Sequence, residues 1–282
     1  MSGAPTWVLL RGLTRESGHW GQFPQLLLNR LQALQPTVRV MMLDLPGNGR
    51  LYKQPSPGSV PEMVDACRDQ LARAGVSGPI HLLSMSLGAM VAADWAMRFP
   101  NEIEAAVLIN TSLSPFSPFF RRLRPSNYWS LLMMAFWRAG SRWREAKVLA
   151  LTTRLVEQAE PLLDRWVEVQ KKRPVSGRNA LRQLLAAARY RASRRRPSAP
   201  MLLLCSQADG LVDWRCSQHL SRAWGIPLRL HTSAGHDLPL DDGPWVVNAV
   251  LEWLKAREHL AYLPTEPASL PDRTQPFVRQ PE

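Results

Sequence analysis

Three side chains have the types that nucleophilic acyl chemistry needs, and each sits in a context that would present it. Ser86 lies in Leu82-Leu83-Ser84-Met85-Ser86-Leu87-Gly88-Ala89-Met90. The apolar run Pro79–Leu83 reads as a short buried strand, and a helical pattern follows the serine at once. Small residues at minus two (Ser84) and plus two (Gly88) suit a sharp turn that pushes a hydroxyl out of a sheet. The amide of Leu87 and the helix N-terminus would then face an oxyanion formed beside that hydroxyl. A serine hydroxyl is a weak nucleophile until a base takes its proton, and the base works best when a carboxylate orients it. Asp209 follows an apolar run at 201–205, within Ser206-Gln207-Ala208-Asp209-Gly210-Leu211-Val212-Asp213. His236 follows a strand expected at 228–231, within Ser233-Ala234-Gly235-His236-Asp237.

The elements that must position these groups alternate. Strands are expected at Trp7–Leu10, Val38–Leu43, Pro79–Leu83, Ala105–Ile109, Met201–Cys205 and Leu228–His231. Helices are expected from about Trp20 to Leu34, Ser59 to Ala74, after Ser86 to Phe99, Trp214 to Trp224 and Pro244 to Arg257. Ser59 and Glu62 have the spacing of a capping box. Strands joined by helices of this length imply right-handed crossovers and a mostly parallel sheet flanked by helices, an α/β fold. The alternation stops at Ser114 and resumes near Ala199. Between them lies an Arg- and Trp-rich helical segment, with Pro125, Pro161 and Pro174 as expected breaks.

With the order Ser86, Asp209, His236 on the page, the chain resembles the α/β-hydrolase superfamily over residues 1–113 and 199–257. The elbow, the Asp44–Gly49 turn, Asp209-Gly-Leu-Val and Gly235-His236-Asp237 carry the resemblance. It implies a core in two parts, 1–113 and 199–257, a helical cap at 114–198, and a Pro-rich tail at 258–282. It also implies that Ser86 is the nucleophile, His236 the general base, Asp209 its orienting acid, and the amides of Leu13 and Leu87 an oxyanion hole. The implied activity is ester or thioester hydrolysis through an acyl-enzyme. Acyl transfer or C–C hydrolysis with the same residues is an alternative, and a non-catalytic binding module with the cap as interface is a third. Two departures stand out. Ser84 replaces the usual elbow glycine, and Arg11-Gly12 replaces the usual His-Gly. Arg11 either braces its loop or meets an anionic substrate group. Asp213 reads as a helix N-cap rather than the acid.

Composition bounds the rest. The 282 residues carry a formal charge of +12, with 45% hydrophobic and 21% charged residues, as in globular proteins. Residues 114–198 hold 19 Lys and Arg against 5 Asp and Glu, a net of +14; the remainder holds 16 against 18. The basic excess therefore belongs to the cap. An acidic carrier protein or an anionic membrane surface would suit it. Nucleic acid is disfavoured, because the aromatics form an apolar run rather than alternating with cations. That run, Tyr128–Trp137, offers Trp129, Met133, Phe136 and Trp137 as a lining for an apolar acyl group. Three widely spaced cysteines suggest no disulfide framework, no His/Cys/carboxylate cluster has metal-ligand spacing, and no cofactor is expected. A cytoplasmic location is the expectation, and oligomeric state is not legible.

Overall fold

The computed structural model describes residues 4–130, 140–157 and 159–261. All six expected strands form: β1 (Thr6–Leu10), β2 (Arg39–Leu43), β3 (Ile80–Met85), β4 (Ile103–Ile109), β5 (Met201–Ser206) and β6 (Leu228–His231). They make one parallel sheet in the order β2-β1-β3-β4-β5-β6. The chain winds one way from β1 to β2 and the other way from β3 onward. The carboxyl ends of β1 and β3 therefore diverge into a crevice, where parallel sheets of this kind place their sites.

The near-continuous apolar runs of β1, β3 and β5 reflect burial on both faces. Alternate residues go to opposite cores. Val8, Leu10 and Leu82 pack with α2 (Val60–Arg73), α3 (Leu87–Arg98) and α8 (Arg215–Trp224). Trp7, Leu9 and Leu83 pack with α1 (Phe23–Gln32) and α10 (Gly243–Ala261).

Several boundaries differ from expectation for local reasons. The expected helix from Trp20 divides into a 3-10 turn, Ser17–Trp20, and α1, because Gly21 sits at φ +56° between them. The hydroxyl of Ser59 accepts from the Glu62 amide at 3.4 Å, but the return arm of the box caps Gly58 instead, whose amide donates to Glu62 at 2.9 Å. Asp213 sits one residue ahead of the cap position, taken by Trp214, yet its carboxylate still accepts from the Arg215 amide at 3.0 Å. The last helix runs on to Ala261.

Among the described residues, the helices α4 (Phe119–Arg122), α5 (Ser141–Thr152), α6 (Ala159–Lys172) and α7 (Gly177–Arg189) lie between β4 and β5. Pro125 opens a 3-10 turn and Pro174 separates α6 from α7. Pro161 is no break. It sits in the first turn of α6, where its missing N–H costs nothing. Leu149, Leu163, Trp166 and Val167 give α5 and α6 a small core of their own, while Ala186 of α7 joins the main one. A short α9 (Leu238–Asp241) follows β6. Among the described residues, no helix is long and apolar enough to cross a membrane.

Candidate active site

Ser86 stands at the end of β3 with φ +54° and ψ −115°, a conformation that costs a non-glycine residue on the order of 1–3 kcal/mol. Both sides of the turn enforce it. The Ser86 amide donates to Ile109 O at 2.9 Å, which continues the sheet. The Ser86 carbonyl accepts from the Ala89 and Met90 amides at 3.1 and 3.2 Å, which starts α3. The glycine at plus two is required by the close approach of α3 to β1. A Cβ at Gly88 would lie 2.6 Å from the carbonyl oxygens of both Leu10 and Arg11. Ser84 at minus two is fully buried, so the turn accommodates a hydroxymethyl group there. The loop after β1 touches the serine directly, since a Cβ on Gly12 would lie 3.0 Å from Ser86 Cβ. Leu13, next along that loop, is half-buried against the core, and Leu87 is the first residue of α3.

Asp209 and His236 come together from the loops after β5 and β6. His236 Nδ1 lies 2.7 Å from Asp209 Oδ2, and both side chains are buried. The other carboxylate oxygen, Oδ1, accepts from the Leu211 and Val212 amides at 2.7 and 2.9 Å. With both oxygens engaged, the carboxylate has one orientation to offer. Burial works against a charged imidazole at His236. The charge and hydrogen bond of Asp209, with a lesser pull from Asp237, outweigh burial and the push of Arg11, and they hold His236 above the ordinary imidazole value.

Asn110 joins the pieces. It sits at φ +45°, one residue past β4, and its side-chain nitrogen donates to His236 O at 2.7 Å and lies 3.2 Å from Ser206 Oγ. Its oxygen accepts from the Ser206 amide at 2.8 Å. Since Ser86 is hydrogen-bonded to Ile109, this one side chain links the elbow, the acid strand and the histidine loop.

Arg11 is a brace. Its guanidinium donates to both oxygens of Asp237, at 2.9 and 2.5 Å, lies 4.8 Å from the centre of the Trp20 ring, and is 3% exposed. With both terminal nitrogens engaged by Asp237 and solvent excluded, the geometry fits the bracing alternative. The brace ties the Gly12 loop to the histidine loop, because Asp237 adjoins His236.

A second polar cluster went unread in the sequence. Arg15 donates to Glu145 of α5 at 2.5 Å and lies 4.4 Å from the Trp166 ring centre. Glu16 pairs with Arg173 at 2.5 Å. His19 sits between them, with its ring nitrogens 3.1 Å from the Glu16 amide and 2.9 Å from Arg15 Nη1. Burial, then the charges of Arg15 and Arg11, push His19 well below the ordinary imidazole value. These residues fasten the loop after β1 to the inserted helices. Of the residues expected to line a pocket, Trp129 is 70% exposed; Met133, Phe136 and Trp137 lie outside the described residues. Among the described residues, no group of three His, Cys, Asp or Glu is placed to hold a metal ion.

Residues 7–249 match the model of the alpha/beta hydrolase family. A protein of Cronobacter turicensis named as a candidate carbamate hydrolase, RutD, is 29% identical over 241 residues, which cover 83% of this chain and 85% of that one. A structure named as a candidate lipase from Acinetobacter baumannii AYE superposes with a TM-score of 0.72 at 21% identity, covering 91% of this chain and 85% of the other. The enol-lactonase from Burkholderia xenovorans LB400 gives 0.71 at 16% identity, covering 90% and 92%. The two structural likenesses speak to the fold.

Proposed function

The chain belongs to the alpha/beta hydrolase family, and on that footing we propose that it is a serine hydrolase acting on carboxylic esters or thioesters through an acyl-enzyme on Ser86. The observation that carries the reading is the buried His236–Asp209 pair at 2.7 Å, on loops that Asn110 ties to the strained Ser86 turn.

In this reading His236 Nδ1–H donates to Asp209, which leaves Nε2 free to take the Ser86 proton. Ser86 Oγ attacks the carbonyl carbon, and the Leu13 and Leu87 amides receive the oxyanion. Collapse of the tetrahedral intermediate breaks the bond to the leaving oxygen or sulfur, which takes its proton from His236. Water then repeats the sequence, with His236 again as base, and releases the acid while Ser86 regains its proton. The name of the Cronobacter relative adds carbamates to the substrates worth testing, since a carbamate carbonyl passes through the same kind of intermediate.

A fluorophosphonate probe tests the assignment. It is expected to label the wild type and not Ser86→Ala, and loss of a triad member is expected to lower kcat by roughly 10⁴-fold or more. Equal labelling of both proteins would overturn it. A panel of esters, thioesters and carbamates graded by acyl length then assigns the substrate class.

A further inference from the structure

Helix α7 has two dissimilar faces. The inner one carries Asn179, Gln183 and Ala186, all buried. Gln183 accepts from the Thr14 amide at 2.9 Å and donates to Asn48 and Ser56 at 2.8 and 2.9 Å. The helix is thereby fastened to the loops after β1 and β2, beside the site. The outer face carries Arg178, Leu181, Arg182, Leu185 and Arg189, which share one stripe at helical spacing.

A helix face kept merely solvated would carry carboxylates three or four residues from its arginines and would not centre on leucine. This face has neither property. Leu181 is 55% exposed and Leu185 38% exposed. From Val169 to Ala208 the sequence runs forty residues with ten Lys and Arg and no Asp or Glu. Among the described residues, none of the three stripe arginines is paired with a carboxylate. The apolar surface also extends beyond the helix. Arg122 donates to the carbonyls of Ala187 and Ala188, which holds α4 and its exposed Phe119 (71%) and Phe120 (47%) beside the C-terminal end of α7.

We propose that this face docks on an anionic lipid surface. Phosphate headgroups satisfy the arginines, and the leucine and phenylalanine side chains enter the boundary between headgroups and acyl chains. A polyanion alone would satisfy the arginines and leave the apolar side chains in water. The docked face is the back of the helix whose front bonds the Thr14 loop. The proposal stands apart from the chemistry proposed for Ser86 and is read by a different measurement.

The experiment is cosedimentation of the full-length protein with vesicles of phosphatidylcholine alone or mixed with phosphatidylglycerol. Partitioning onto the mixed vesicles is expected to exceed that onto neutral ones by tenfold or more, and to weaken as salt is added. The triple variant Arg178→Ser/Arg182→Ser/Arg189→Ser is expected to lose roughly fivefold per charge, about a hundredfold in all. Leu181→Ser/Leu185→Ser is expected to lose about tenfold on the same vesicles. Both variants are expected to keep the wild-type circular dichroism melt, and the wild-type rate on a soluble short-chain ester. Equal partitioning onto neutral vesicles would overturn the proposal. So would an undiminished Leu181→Ser/Leu185→Ser variant, which would mark a purely electrostatic face suited to an acidic protein or a nucleic acid.

Discussion

Replacing Asp237 with Asn tests the brace behind the site. In the wild type the two charges of Arg11 and Asp237 meet through two hydrogen bonds, and the side chains are 3% and 2% exposed, so solvent screens the pair very little. Asp237→Asn keeps the size and one acceptor but leaves the Arg11 guanidinium charged and buried without a counter-ion. Removing one partner from such a pair costs about 3–5 kcal/mol, a large part of the ~5–15 kcal/mol that holds a typical domain folded. Urea unfolding followed by tryptophan fluorescence reads the loss as a lower midpoint at unchanged slope. The double variant Arg11→Met/Asp237→Leu removes both charges and is expected to recover most of the stability, since the penalty lies in the unpaired charge rather than in the missing bond. Asp237 also helps to raise His236, so in Asp237→Asn the acid limb of hydrolysis is expected to move to lower pH. A single variant within 1 kcal/mol of wild type, or a double variant no more stable than the single, would refute the reasoning.

Gly88→Ala is expected to be destabilised by at least ~1–3 kcal/mol in thermal unfolding, because its new methyl must displace backbone oxygens rather than a side chain. Asn110→Leu leaves the buried Ser206 amide and His236 carbonyl without their partner, at about 1–3 kcal/mol for each group; kcat is expected to fall more than KM rises, since the histidine loop loses its tether. The hydrolysis rate should climb with pH through a midpoint above the ordinary imidazole value near 6.5, because the base must be neutral. The stability that His236 contributes has the opposite sign: it is fully present below pH 6.5 and is lost as pH rises through the raised folded value. Parallel rate and urea-midpoint titrations of wild type and His236→Gln separate the two.

The elbow and the strand series are legible in the sequence because local chemistry dictates them. Gly88 is needed where two backbones touch, and the apolar runs at 80–85 and 201–206 have the length of strands buried on both faces. The order of serine, acid and histidine then placed the three candidate side chains after β3, β5 and β6. Interactions that join distant parts of the chain left no such mark. Arg11 and Asp237 are 226 residues apart, and Asn110 reaches His236 across 126. A buried arginine beside an oxyanion loop looks the same in sequence whether it meets a substrate or a carboxylate of its own chain. Pro161 misled for a related reason: a proline that ends one helix also opens another, and only the position of the first turn decides. Arg15, Glu16 and His19 gave no periodic signal, because they sit in a loop and an isolated 3-10 turn whose partners come from the inserted helices.

The neighbouring positions of β4 and β5 carry a consequence for how such a protein can be altered. Ala106 pairs with Met201 and Ile109 with Leu204, and Ser114 bridges Arg191, although the helices α4 to α7 intervene. The chain leaves the sheet and returns to it at adjacent points, like a detour with its entrance and exit side by side. Shortening, lengthening or exchanging the detour leaves both strand partners where they were, and the entropy of closing a longer loop grows only with the logarithm of its length. Grafting at residues 114 and 191 therefore keeps the pairing of β4 with β5, provided the graft again supplies partners for Arg15, Glu16 and the Thr14 amide, which Glu145, Arg173 and Gln183 now hold.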